Sequence, residues 1–99
     1  MSTDKLLTFR ERIDTIDEKL VRLIQERFEI CKDVAVYKSE NDIPMMQPGR
    51  ITEVIAKWRR LADEFSLNPD FTEKLYKLIV EEACILEDEI IDSLAKKTE

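Results

Sequence analysis

Three cations and one carboxylate stand where helix periodicity asks for apolar side chains. From Asp4 to Asn41, Leu6, Phe9, Ile13, Ile16, Leu20, Leu23, Ile30, Val34 and Tyr37 keep alternating spacings of three and four, and the position of that register without an apolar residue is Arg27. A neighbouring row, Leu6, Arg10, Ile13, Asp17, Leu20, Ile24, Arg27, Cys31, Val34 and Lys38, sets Arg10, Arg27 and Lys38 into the seam. A charge on the buried side of a helix is costly unless it meets a counter-charge, so the pattern asks for an anion. Arg27 and Lys38 lie roughly 16 Å apart by helical rise, a gap two long side chains can close around a small dianion. Farther along, Tyr76, Val80, Ala83, Ile90 and Leu94 form an apolar row whose gap is filled by Glu87. Two readings of Glu87 stand open. It is a counter-ion for a buried cation, or it is a carboxyl kept protonated by burial and a nearby anionic ligand, and so a hydrogen-bond donor.

These side chains need long, regular elements to carry them. No Gly or Pro interrupts Asp4–Asn41, which predicts one helix roughly 57 Å long, with residues 1–3 frayed and Thr3 or Asp4 as its cap. Asp42–Pro48 reads as a loop in which Pro44 and Pro48 bracket Met45, Met46 and Gln47. Pro48 suits a first helical turn, so a second helix is expected from there to Phe65, with the face Ile51, Val54, Ile55, Trp58, Leu61, Ala62 and Phe65. Arg50 falls in its first turn, where the positive end of the helix dipole also favours an anion. A turn at Ser66–Asp70, opened by Asn68 and Pro69 or by Asp70, leads to a third helix over Pro69–Leu94, and Ala95–Glu99 reads as a disordered tail. The fold class is all-α, a three-helix protomer forming a single domain over residues 1–94.

A chain of 99 residues has a radius of gyration of about 13 Å and cannot wrap its own first helix, so a homodimer is expected. Arg10 is roughly 25 Å from Arg27 by helical rise and must serve another site. In an antiparallel pair with its two-fold near position 21, Arg10 of one chain comes level with position 32 of the other, between Arg27 and Lys38. This predicts two composite sites per dimer, each borrowing Arg10 in trans.

Several classes of chemistry are excluded. The net charge of −6 and the missing polybasic run speak against nucleic acid and anionic membranes as partners. With no His in the chain, His-based acid–base catalysis, Ser-His triads and His-ligated metals are out, and a single glycine, Gly49, gives no phosphate-cradling loop. No cofactor and no metal are expected. Cys31 and Cys84 sit among apolar neighbours and read as small core residues. With no signal-peptide block and no apolar run near 20 residues, the chain reads as soluble and cytoplasmic.

The ordered set Arg10, Glu11, Arg12, Ile13, Asp14, Ile16, Asp17, then Glu26 and Arg27, then Val34, Ala35, Tyr37 and Lys38, then Ile43 and Pro44, Arg50, and finally Leu75, Tyr76, Leu78, Ile79 and Glu81, resembles the all-helical chorismate mutase family from about Leu6 to Asp92. The resemblance implies a dimer of three-helix protomers in which chorismate, a dicarboxylate, rearranges to prephenate without cofactor or covalent intermediate. It implies that Arg10, Arg27 and Arg50 hold the substrate carboxylates while Lys38 and Glu87 donate to the ether oxygen. Such a reaction needs no nucleophile; cations and one donor suffice to fold the substrate and stabilise the charge that develops at that oxygen. The chain departs from the family pattern at three binding positions. Ile51 follows Arg50 where many members carry a glutamate for the ring hydroxyl, Gln47 replaces the usual aspartate, and Ala83 the usual serine. The run Ile43–Arg50 is similar to the branch that rearranges 4-amino-4-deoxychorismate in antibiotic pathways. Isochorismate pyruvate lyase shares the helices and the cation set and also lacks that glutamate. A helical dimerisation or regulatory module is the non-catalytic alternative; it leaves the charged seam positions without a reason.

Overall fold

The computed structural model describes residues 2–45 and 47–98. Three helices follow in order, α1 over Ser2–Glu40, α2 over Pro48–Glu64 and α3 over Pro69–Thr98, with no strand among the described residues. The all-helical expectation and its two loops hold. The ends move: α1 begins at Ser2, so Thr3 and Asp4 lie inside it and do not cap it, and α3 runs through residues 95–98, which were expected as a tail. Met1, Met46 and Glu99 lie outside the described residues. Asp4 in the first turn of α1 and Lys38 in the last both complement the helix dipole.

The helices end where single residues turn left-handed. Asp42 has φ 53° and Ser66 φ 58°, and in each case the next amide reaches back over the last turn, Ile43 N–H to Lys38 O at 2.9 Å and Leu67 N–H to Ala62 O at 2.8 Å. These are Schellman-type closures made without glycine, at positions that Asp tolerates better than most side chains do. Pro44 follows the first closure and prevents the helix from resuming. Pro48 starts α2 as its first helical residue. Asn68 starts α3, its Oδ1 accepting from Asp70 N–H at 2.9 Å.

The chain forms two compact units, Met1–Ile30 and Cys31–Glu99. In the larger one α2 and α3 pack against each other. Val54, Ala62, Thr72, Tyr76 and Ala83 are buried there, as is Ala35 at 0% exposure. Trp58 packs on Tyr76 with ring centroids 5.0 Å apart. Arg59 of α2 bridges to Asp70 and Glu73 of α3, each at 3.1 Å, and Lys77 meets Glu73 at 2.9 Å. The described residues of the smaller unit are all helix. Local interactions run along it, among them Arg22 to Glu18 at 2.7 Å and Lys5 over the Phe9 ring. Its apolar row is uncovered in the single chain, with Ile16 and Leu23 each 61% exposed and Leu6, Phe9, Ile13, Leu20 and Ile30 exposed with them.

Candidate active site

Lys38 and Glu87 are the two chemically capable side chains that the larger unit brings into one electrostatic neighbourhood. Lys38 stands in the last turn of α1, half-buried, and its Nζ donates to the main-chain oxygen of Met45 at 3.3 Å. Glu87 is half-buried on α3. Burial pushes the Glu87 carboxyl up; the Lys38 ammonium pulls it back, and Asp88 adds a smaller upward push. The net direction is upward, so the carboxyl keeps its proton to higher pH than an ordinary glutamate does. Cys84, one turn earlier, belongs to the same cluster. Burial raises its thiol first, Glu87, Asp88 and Cys31 add to the rise, and Lys38 opposes it. A thiol held up in this way is a poor nucleophile and suits a packing role.

Arg50 is exposed in the first turn of α2 and lies 3.4 Å from Glu53, itself exposed. Such a pair is weak in water, and an incoming carboxylate can replace Glu53 at small cost. Gln47 is the N-cap of α2 but makes no side-chain capping bond, and its main-chain oxygen accepts from Arg50 N–H at 2.9 Å. Ile51 is half-buried and Ala83 is buried at 6% exposure. Arg10 and Arg27 belong to the smaller unit, Arg10 exposed and Arg27 half-buried. The Met45 carbonyl and Asp88 were missed by sequence reasoning. The first is main chain and leaves no trace in a side-chain pattern; the second had a signal, since it is the neighbour of a seam carboxylate.

This arrangement sets an ammonium in the electrostatic neighbourhood of a carboxyl whose pKa is raised, a group that donates a hydrogen bond whenever it holds its proton. The family model for chorismate mutase type II matches residues 9–88. The chain belongs to the chorismate mutase type II family. It is accordingly an isomerase of the chorismate mutase type. Among its relatives, a 4-amino-4-deoxychorismate mutase of Streptomyces pristinaespiralis is 40% identical over 92 residues, 93% of this chain and 71% of that protein. A second protein of that name, from Streptomyces venezuelae, is 34% identical over 86% of this chain and 82% of its own length. A chorismate mutase of Methanocaldococcus jannaschii is 30% identical over 95% of both chains. Among the described residues, no helix is long and apolar enough to cross a membrane.

Proposed function

We propose that this family member rearranges 4-amino-4-deoxychorismate to 4-amino-4-deoxyprephenate, acting as a cytoplasmic homodimer of single-domain protomers. The observation that carries the choice of substrate is the 40% identity to a relative of that name over most of both chains. Ile51 supports it. A glutamate after Arg50 accepts a hydrogen bond from a ring hydroxyl, whereas the half-buried Ile51 cannot, so the demand for a hydroxyl at ring carbon 4 is removed. The uncovered apolar row of residues 6–30 supports the dimer, because a face of that extent is stable in water only when a second apolar surface covers it.

In this reading Arg27, Arg50 and Arg10 of the partner subunit hold the two carboxylates, and Gln47, Ile51 and Ala83 shape the binding of the ring. The ether C–O bond breaks as the new C–C bond forms, within one molecule and with no net proton or electron transfer. Negative charge grows on the ether oxygen. Lys38 and protonated Glu87 donate to it, which stabilises the transition state more than the ground state. Holding the side chain over the ring removes much of the conformational barrier. The test is separate incubation of the protein with 4-amino-4-deoxychorismate, chorismate and isochorismate, with identification of products. Rearrangement of the 4-amino compound at the highest kcat/KM is expected. Preference for chorismate would move the chain to the primary branch, pyruvate release from isochorismate would make it a lyase, and no turnover of any of the three would leave a binding module.

A further inference from the structure

The loop after α1 is fastened twice to one residue. Ile43 N–H donates to the main-chain oxygen of Lys38 at 2.9 Å, and the Lys38 Nζ donates to the main-chain oxygen of Met45 at 3.3 Å. Both contacts require the chain to double back at once after the helix, and the turn is made by Asp42 in the left-handed region at φ 53°. Ordinary capping explains the first contact, since the last carbonyls of a helix need donors. It does not explain the second, which fixes a side chain. A lysine stem has four rotatable carbons and loses considerable rotamer freedom when held, so an ammonium meant to meet one atom of a ligand gains from an anchor formed before the ligand arrives. Pro44, between the two contacts, narrows the path from Ile43 to Met45 by fixing its own φ.

We propose that Asp42, through its left-handed backbone and the Met45 carbonyl, is a positioning residue that holds the Lys38 ammonium where the ether oxygen of the substrate will lie. The proposal rests on the role given to Lys38 above, but the anchor itself can be read without turnover. The groups that set the Glu87 titration are Lys38 from α1 and Asp88 beside it on α3, with the neutral Cys84 thiol in the same cluster. Lys38 is the one that lowers it. An ammonium released from its anchor spends less time near Glu87, and the titration of that carboxyl must then move to higher pH.

The experiment compares the full-length wild type with Asp42→Val, Asp42→Gly and Pro44→Gly. It measures kcat, KM and the carboxyl titration of Glu87 in the ligand-free enzyme by carbon-13 NMR. A β-branched residue resists the left-handed region and glycine adopts it freely. Asp42→Val is expected to lower kcat roughly ten-fold to a hundred-fold with KM little changed, the effect of displacing a reacting group by about an ångström, and to raise the Glu87 titration. Asp42→Gly keeps both near wild type, and Pro44→Gly moves both in the direction of the valine variant by less. Wild-type kcat and an unmoved Glu87 titration in Asp42→Val and Pro44→Gly overturn the proposal, as does a fall in kcat with the titration unmoved. If Asp42→Val lacks a helical spectrum, Pro44→Gly decides by the same readouts. If the wild type turns over none of the three substrates, the rearrangement reading fails while the titration still decides whether Asp42 holds Lys38.

Discussion

The two units of this chain are stabilised by different means. Cys31–Glu99 contains α2 and α3 packed together, an aromatic pair, a bridging Arg59 and caps at both ends of the turn that joins those helices. In Met1–Ile30 the described residues are helical and most of the large apolar ones are exposed, Ile24 and Phe28 being half-buried, with local ion pairs such as Arg22 to Glu18. A solvated helix with local ion pairs is marginal, since each pair contributes only about 0.2–0.5 kcal/mol. The difference teaches that one segment carries the information for its own packing, while the other presents an exposed apolar row that needs something to cover it. In the proposed dimer that something is its own copy.

The comparison breaks most visibly if the arm is made polar. Leu20→Glu together with Leu23→Glu removes two side chains worth about 1.5–3 kcal/mol each when buried, and a two-fold interface counts each of them twice. Sedimentation should show monomers, and activity should fall to background. A dimer that survives this change would mean the exposed row is not the interface. Complementation sharpens the same point. Arg10→Ala and Lys38→Ala should each be inactive alone, and after co-refolding the mixture should regain roughly a quarter of wild-type activity, because half the dimers are mixed and each has one intact site. No recovery, with mixed dimers verified, would exclude the donated arginine.

Glu87 tests the larger unit by itself. Its pKa is raised, and it can donate to the ether oxygen only while protonated, so kcat should be highest on the acid side and decline as pH rises through that value. Glu87→Gln, a donor at any pH, should flatten the decline, and Glu87→Ala should lower kcat throughout. A wild-type profile level from mildly acidic to alkaline pH, unchanged by Glu87→Gln, would return Glu87 to the role of counter-ion. The smallest effect is expected from Asn68→Ala. Loss of the cap on α3 costs about 1 kcal/mol, seen as a lower midpoint in denaturant with dimerisation and the Glu87 profile unchanged.

Much of the fold was legible because helices are specified by local rules. The absence of Gly and Pro between Asp4 and Asn41, the proline at Pro48 and the Asn68 and Pro69 pair located the three helices to within a few residues. The ends were harder. Whether residues 95–98 join a helix depends on small local free energies that no periodicity records. The left-handed turn at Asp42 was illegible for a related reason, since the signal for such a turn is glycine, and an aspartate that tolerates the conformation looks like any polar loop residue. Of the candidate site, Lys38 and Glu87 each stand out as a charge in a countable row, whereas their nearness, which runs between two helices, was implied by the family resemblance and not by any spacing. The Met45 carbonyl could not be counted. Arg10 and Arg27 belong to the other unit, so sequence spacing alone speaks to their place.

Trp58, the only tryptophan in the chain, lies against Tyr76 at a centroid separation of 5.0 Å in the α2–α3 packing. The two halves of the molecule therefore differ optically. Indole emission, fed by energy transfer from the adjacent phenol ring, reports the α2–α3 hairpin, whereas far-ultraviolet ellipticity counts every helical residue, those of the first thirty positions included. A denaturation in which the two signals part company would record the arm and the hairpin coming undone at different concentrations, and dilution of the protein would widen the gap. Coincident curves that shift together with dilution would mark assembly and folding as one event.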